Sequence, residues 1–356
     1  MNDGLRVLHL IWSAGGGGAE RQLAYLATGQ CELGLDVHIG IFRGGINLSR
    51  LEASGAAVHW MSSRGTRDPL IVPRIARLIR KVRPAIVQTW LVQMDVVGGT
   101  AALLTRTPWI ASERSSGAHY PKELRYRMRK ILGRYADAVI ANSPGGSVFW
   151  NGPHVRKFVV PNAVAMDEIA AAVPAADHFG GSRVVLFAGR LEQVKNLPNL
   201  IGALVPLVRS ADVVALLCGA GPLEQEVRRL IDAAGCGDRI RLTGFREDVW
   251  GLMKRADVLV APSWYEGHPN SVIEAAAACC PLVVSDIPAH RAFLDDSTAL
   301  FAPPEDREAL SRAIAMALHD QQASAARAAA AQHRVAEWSI GNISAQYERI
   351  YREVVA

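Results

Sequence analysis

Apolar positions along the chain follow two alternating patterns. Short, continuously apolar runs recur at 5–12, 37–42, 57–61, 85–90, 109–113 and 138–142, and again at 184–188, 213–218, 240–245, 258–262 and 282–285. Between them lie stretches with the period of a helix: 21–28, 73–82 (Ile75, Leu78, Ile79 and Val82 on one face), then 196–209, 222–234, 247–254 and 270–279. Strands without polar alternation are buried on both faces. Strands alternating with helices therefore predict parallel sheets covered by helices on both sides. The pattern lapses over 161–181, which holds Pro174, Asp177, His178, Gly180 and Gly181 and reads as a linker, and it restarts after 182. The expected fold class is thus α/β, with two doubly wound domains in tandem. The last fifty residues read as helical, and the segment from Trp338 to Val355 forms a separate helix able to cross back to the first domain.

Length agrees with this division, because 356 residues exceed one ordinary core and suit two. Half the residues are hydrophobic and 21% are charged, which excludes a disordered chain. No eighteen-residue window is apolar throughout, so no membrane-spanning helix is expected. The start Met1-Asn2-Asp3-Gly4 lacks the basic-then-apolar order of a secretory signal, and five cysteines without a Cys-x-x-Cys give neither a disulfide framework nor a zinc site. The expectation is a cytoplasmic protein. Charge is uneven: residues 1–165 carry 21 Lys and Arg against 10 Asp and Glu, whereas the remainder carries 18 against 24. Either the first half meets something anionic, or the surfaces of the two domains have merely drifted apart.

Open parallel sheets bind ligands at the carboxyl ends of their strands, and with two sheets the expected site is a cleft that both domains face. Four motifs fall at such ends. Ser13-Ala14-Gly15-Gly16-Gly17-Gly18-Ala19-Glu20 follows the first strand and opens a helix, as an anion-binding turn would. A dinucleotide fingerprint would also want an acid after the second strand, which instead ends Ile41-Phe42-Arg43. Gly189-Arg190-Leu191-Glu192-Gln193-Val194-Lys195-Asn196 leaves the first strand of the second domain with two cations suited to a diphosphate, although such a pair can equally be solvated. Cys218-Gly219-Ala220-Gly221-Pro222 follows the next strand, and Thr243-Gly244-Phe245 after it offers an edge to a planar base. Finally, Glu266-Gly267-His268-Pro269-Asn270-Ser271-Val272-Ile273-Glu274 sets two carboxylates eight positions apart. Alone, Ser271 with Glu274 also fits a helix capping box, and Glu266 an exposed loop charge.

Taken in order, Gly17-Gly18-Ala19-Glu20, Gly189-Arg190-Leu191 with Lys195-Asn196, Gly219-Ala220-Gly221-Pro222, and Glu266-x7-Glu274 resemble family 4 retaining glycosyltransferases of the GT-B fold. The resemblance spans nearly the whole chain and is strongest over 183–286. Val160-Pro161-Asn162-Ala163-Val164 and Trp338-Ser339 match the segments where that family's chain leaves and re-enters the first domain. It implies an acceptor-binding Rossmann-like domain over 1–165 with a returning helix at 338–356, and a nucleotide-sugar-binding domain over 166–337. Arg190 and Lys195 would hold the donor diphosphate, helped by Gly17, Gly18 and the helix start near Asn270. Glu274 would bind the ribose and Glu266 the transferred sugar, with Gly267, His268, Pro269 and Asn270 around it. Gly219, Gly221 and Phe245 complete the donor side. Such carboxylates accept from vicinal hydroxyls, and such cations answer a dianionic leaving group.

The implied reaction moves a hexosyl unit, N-acetylhexosaminyl included, from a UDP- or GDP-sugar to a hydroxyl with retained configuration. The leaving phosphate would help accept the proton in a front-face route. The expected acceptor is a lipid-linked or glycan intermediate of cell-surface polysaccharide or glycoconjugate synthesis. A nucleotide-sugar epimerase and a non-catalytic sugar-nucleotide-binding protein are the alternatives on this scaffold. No cofactor is expected, and no metal, since the chain lacks an Asp-x-Asp pair. Two departures stand out. Where the family commonly carries a histidine after the fifth strand, this chain reads Ala111-Ser112-Glu113-Arg114-Ser115-Ser116, leaving Glu113, Arg114 and His119 as acceptor-side candidates. After Val284-Ser285-Asp286, Ile287-Pro288-Ala289-His290-Arg291 replaces the usual glycine-then-glutamate turn.

The segment 121–134 places Leu124, Met128, Ile131, Leu132 and Tyr135 on one stripe, with Lys122, Arg125, Arg127, Arg129, Lys130 and Arg134 elsewhere. Residues 73–83 add Arg74, Arg77, Arg80, Lys81 and Arg83. These helices fit an anionic membrane surface, which would make the protein peripheral on the inner face, or else pack on the sheet with a solvated basic side. Nucleic acid is not expected, because few aromatics interleave with the charges.

Overall fold

The computed structural model describes residues 4–116, 120, 123–150, 152, 154–176, 179 and 181–356. The chain divides into two compact units, Met1–Ala163 with Trp338–Ala356, and Val164–Glu337.

Among the described residues the first unit holds a seven-stranded sheet of β1 (Arg6–Ser13), β2 (Asp36–Arg43), β3 (Ala57–Trp60), β4 (Ile86–Trp90), β5 (Trp109–Glu113), β6 (Ala138–Ala141) and β7 (Arg156–Val159). Their order is β3-β2-β1-β4-β5-β6-β7, and every pairing is parallel. The order reverses direction at β1, as in a doubly wound fold. The central strands are buried along their whole length, which explains their continuous apolar runs.

The second unit holds β8 (Arg183–Ala188), β9 (Val213–Cys218), β10 (Ile240–Gly244), β11 (Val258–Ala261), β12 (Leu282–Ser285) and β13 (Leu300–Ala302), in the order β10-β9-β8-β11-β12-β13. Its pairings are likewise parallel. A core of Val185, Leu200, Leu204, Leu217, Ile231, Val260 and Ile314 lies between this sheet and its helices.

The helix Ile340–Val355 belongs to the first unit, where it packs on the helix Gly18–Glu32. Ser339 caps it, its hydroxyl accepting from Asn342 N. A buried polar chain fixes it further: Trp90 Nε1 donates to His9 Nδ1 at 3.2 Å, His9 Nε2 meets Gln30 Oε1 at 2.8 Å, and Gln30 Nε2 donates to the Tyr351 hydroxyl at 3.0 Å. Tyr351 in turn donates to Gln88 Oε1. Burial pushes the His9 pKa down to about 4, so the ring stays neutral within this chain.

Three differences from the sequence reading have physical causes. The supposed linker 161–181 contains a helix, Met166–Ala171, whose Ile169 is buried and whose end is clasped by Lys254 Nζ through Ala170 O and Ala172 O at 2.7 and 2.8 Å. Asp177, His178 and Gly180 of that stretch lie outside the described residues. The helix Leu91–Thr105 shows no apolar stripe because it packs on the sheet and on both neighbouring helices, with only its end, Leu103 and Leu104, exposed. The third difference concerns the basic helix, which spans Leu124–Leu132; Pro121 and Lys122 lie outside the described residues. Most of its apolar stripe faces outward, with Leu124 70% exposed and Ile131 57%, while Leu132 packs against the core. Arg129 also turns inward.

Candidate functional site

The residues singled out in the second half lie on loops at the carboxyl edge of the six-stranded sheet or, for Asn270 and Glu274, on the helix that one of them opens, and backbone bonds stitch the loops together. Past β8, Gly189 N donates to Cys218 O and Leu191 N to Ala220 O, both at 3.0 Å, and Leu223 N returns to Leu191 O at 3.0 Å. The approach is so close that a Cβ on Gly219, which has φ of +143°, would stand 1.8 Å from Gly189 O. One on Gly221 would stand 2.5 Å from Leu191 O. Both glycines are therefore required by loop-to-loop packing, before any ligand is considered.

Arg190 leaves β8 largely exposed and pairs with Glu192, Nη2 to Oε1 at 2.6 Å. The chain then makes a short 3₁₀ turn, Gln193–Lys195, closed by Lys195 N to Glu192 O at 2.9 Å. Asn196 follows in the left-handed region (φ 54°), its Nδ2 donating to Pro262 O at 3.1 Å and Pro304 O at 2.6 Å. Trp264 N donates to Val194 O at 2.9 Å and draws the loop after β11 against this turn.

That approach sets Lys195 Nζ 2.6 Å from Glu266 Oε1, with the two side chains only 17% and 15% exposed. Ser263 Oγ donates to the same Oε1 at 2.8 Å. Burial pushes the Glu266 carboxyl up, but Lys195 and Ser263 outweigh it and hold Glu266 below the usual range. Glu266 is an anion with a named cation, not a stray loop charge.

Glu274 is buried within the helix Asn270–Ala277, and Trp250 Nε1 donates to its Oε2 at 3.3 Å. The helix is capped at Pro269 without a side-chain bond, so Glu274 lies beyond the first turn and the capping-box reading does not hold. Gly267 and Pro269 are buried, Asn270 opens the helix, and the His268 ring stands 5.4 Å from that of Phe293. Phe245 projects just past β10, 58% exposed.

Two residues here escaped the sequence reading of the site. Glu192 escaped because it sits between two more conspicuous cations. His290 was seen only as a departure in the turn after β12. It is fully buried, and its Nδ1 meets Ser285 O at 2.7 Å, while Ser285 Oγ donates to Ser263 O at 2.6 Å. Burial lowers the His290 pKa, so the neutral ring donates from Nδ1. A chain His290–Ser285–Ser263–Glu266 thus backs the Lys195 pair.

In the first unit, Gly17 caps the helix that begins at Gly18, and the Glu20 carboxylate folds back over Gly17. Glu113 ends β5 fully buried. It accepts from Ser115 N at 2.9 Å, Trp150 Nε1 at 3.1 Å and the Tyr120 hydroxyl, and Arg129 Nη1 stands 3.1 Å from its Oε2. Its carboxylate is consumed by these partners, which suits holding the following loop more than meeting a ligand. Arg114 lies over the Trp90 ring at 4.6 Å and donates to the Tyr347 hydroxyl at 3.3 Å. His119 lies outside the described residues. Among the described residues no group of three His, Cys, Asp or Glu is placed to hold a metal ion.

Two family profiles match the chain, one in each half. That described as "Glycosyltransferase Family 4" matches residues 16–167, and "Glycosyl transferases group 1" matches 182–320. The phosphatidyl-myo-inositol mannosyltransferase of Mycolicibacterium smegmatis is 32% identical over 239 residues, 65% of this chain and 60% of that protein. The alpha-D-kanosaminyltransferase of Streptomyces kanamyceticus is 28% identical over 48% of this chain, and only 46% of its own length is spanned. An alpha-1,4-N-acetyl-D-galactosaminyltransferase of Campylobacter jejuni, named for an undecaprenol-linked GalNAc acceptor, is 24% identical over 98% of this chain and 99% of its own. The crystal structure of Anabaena Alr3699/HepE in complex with UDP and glucose superposes with a TM-score of 0.86 at 20% identity, covering 98% of this chain and all of that one. This last likeness establishes the fold.

Proposed function

The chain belongs to the family 4 (group 1) glycosyltransferases, and from that premise we propose that it moves a hexosyl unit from a UDP- or GDP-sugar to a hydroxyl with retention of configuration. One observation carries the reading: Arg190, Lys195 and Glu266 stand on stitched loops at one edge of one sheet, and Glu274 lies on the helix that follows Glu266. Arg190 and Lys195 meet the donor diphosphate and stabilise it as it leaves. Glu266 accepts from the hydroxyls of the transferred sugar, and Glu274 from the ribose. Gly267 to Asn270 line that sugar, and Phe245 faces the base. With two cations at the diphosphate, no metal is needed to carry its charge. Catalysis then rests on positioning and leaving-group stabilisation, with a phosphate oxygen taking the acceptor proton.

The acceptor in this reading is lipid-linked, and the first unit presents it. Two relatives support this, since the Campylobacter enzyme is named for an undecaprenol-linked glycan and the mycobacterial one for phosphatidyl-myo-inositol. A surface of the first unit fits such a role. The helix Leu91–Thr105 packs between Ile71–Val82 and Leu124–Leu132, and the three expose Arg77, Arg80, Lys81, Arg125, Arg127 and Lys130 beside Leu104, Leu124 and Ile131. Cations among exposed apolar side chains suit the headgroup zone of an anionic leaflet, which supports reading the protein as peripheral on the cytoplasmic face. Among the described residues no helix is long and apolar enough to span a membrane.

The deciding experiment incubates the protein in EDTA with a panel of UDP- and GDP-hexoses, with and without a polyprenyl-diphosphate glycan. A product with retained anomeric configuration, formed only with acceptor, is expected. Epimerised donor without acceptor would overturn the proposal, as would binding of donor with no turnover of any acceptor.

A further inference from the structure

Each cation assigned to the diphosphate already has an acid. Arg190 pairs with Glu192 and Lys195 with Glu266, both at 2.6 Å. The arrangement is fixed by the backbone. Glu192 N donates to Arg190 O at 2.9 Å and Lys195 N to Glu192 O at 2.9 Å, so one tight turn carries both cations and the first acid. Trp264 N bonded to Val194 O brings the second acid to the same turn. Two carboxylates thus stand where two phosphates would make their charge-assisted bonds.

Resting on the function proposed above, we infer that Glu192 and Glu266 are internal counter-anions, which neutralise the diphosphate site and must be displaced from Arg190 and Lys195 when a nucleoside diphosphate binds. Once displaced, the two acids fare differently. Glu192 gains no bond to either ligand, so it weakens donor and spent nucleotide alike. Glu266, released from Lys195, accepts from hydroxyls of the transferred sugar, a compensation that only the intact donor offers. The site therefore holds the donor in preference to the product, and departure of the sugar lets Glu266 return to Lys195 and help expel the nucleotide. Discrimination arises because one competing anion is recovered by one ligand and not by the other.

Calorimetric titration of the full-length protein with UDP and with GDP, in EDTA and at fixed salt, tests this. Glu192→Gln is expected to tighten the better-binding nucleotide about twofold to fivefold, the range of a partly exposed ion pair. Glu266→Gln is expected to tighten it by at least about tenfold, because a more buried competitor is removed, while weakening the matching nucleotide sugar relative to the nucleotide. Each gain should vanish when its cation is absent, Glu192→Gln in Arg190→Ala and Glu266→Gln in Lys195→Ala. Should Glu266→Gln fail to fold by thermal unfolding, the Glu192→Gln pair decides. Unchanged or weaker nucleotide binding in the folded variants would overturn the inference and leave the proposed function standing. Failure of the wild-type protein to bind either nucleotide would end both.

Discussion

Arg129 Nε lies 2.6 Å from Asp95 Oδ2, and both side chains are shut off from solvent. The guanidinium also reaches Ser112 O at 3.3 Å and stands over the Trp150 ring at 4.8 Å. Asp95 accepts in addition from Thr89 Oγ1 at 2.5 Å. With Glu113 on its other side, Arg129 ties its helix to the helix Leu91–Thr105, which carries Asp95, and to the end of β5. Removing one partner of such a group leaves buried charge uncompensated, so Arg129→Met should cost about 3–5 kcal/mol of stability. Denaturant unfolding followed by tryptophan fluorescence reads this, and a loss under about 1 kcal/mol would show the cluster to be incidental.

The same cluster gives a pH dependence. Burial pushes the Asp95 pKa up to about 6, with Arg129 and Thr89 opposing it. A carboxyl whose folded pKa is raised binds its proton more tightly when folded. Its contribution to stability is complete below the ordinary carboxylate pKa and is lost as pH rises through about 6. Stability should therefore decline between about pH 4 and pH 7, and Asp95→Asn should flatten that slope. An identical slope in the variant would assign the dependence to another group.

Lys195→Ala and Glu274→Ala should each lower kcat/KM at least about tenfold, a loss of roughly 1.4 kcal/mol of transition-state stabilisation. In the proposed donor site the first would remove a cation from the leaving group, and the second the acceptor of the ribose hydroxyls. Rates close to wild type in either folded variant would move the donor site elsewhere.

Much of this was legible in the chain because parallel strands buried on both faces need continuous apolar runs, and 109–113, 213–218 and 282–285 coincide with β5, β9 and β12. The candidate-site loops were legible in place because each follows the end of a parallel strand. Side-chain partners were not. Periodicity cannot tell Arg129 from Lys130 on a helix whose apolar stripe is exposed, since the inward turn of Arg129 depends on Asp95, 34 positions away. Nor does spacing tell that Lys195 and Glu266, 71 positions apart, meet each other. That meeting depends on how the loop after β11 folds onto the turn after β8.

Trp250 offers a subtler test. Its indole donates to Glu274 Oε2, fixing which carboxylate oxygen faces outward from the helix Asn270–Ala277. Trp250→Phe keeps most of the apolar volume and removes that bond, worth about 0.5–1.5 kcal/mol. The donor KM should rise roughly twofold to tenfold with little change in kcat, because ribose contacts act equally in ground and transition states. A fall in kcat at constant KM would place Trp250 nearer the reacting atoms.

The exposed stripe on Leu124–Leu132 carries the last prediction. Leu124 and Ile131 are 70% and 57% exposed, and the same helix carries exposed Arg125, Arg127 and Lys130, with Arg125 paired to Glu123. A solvated helix gains nothing from such apolar exposure, whereas one at a leaflet buries it among headgroups while each nearby cation adds about 1 kcal/mol. Co-sedimentation with vesicles containing anionic lipid should therefore be strong at low salt, weaken as salt screens the charges, and be absent with neutral vesicles. The pair Arg127→Glu and Lys130→Glu should weaken binding at least about tenfold, since reversing two charges exceeds the roughly 1 kcal/mol each supplies. Ile131→Ser should weaken it without altering the salt dependence, because that side chain acts through burial alone. If the wild-type protein stays in the supernatant at low salt, the stripe has another partner and the membrane placement falls.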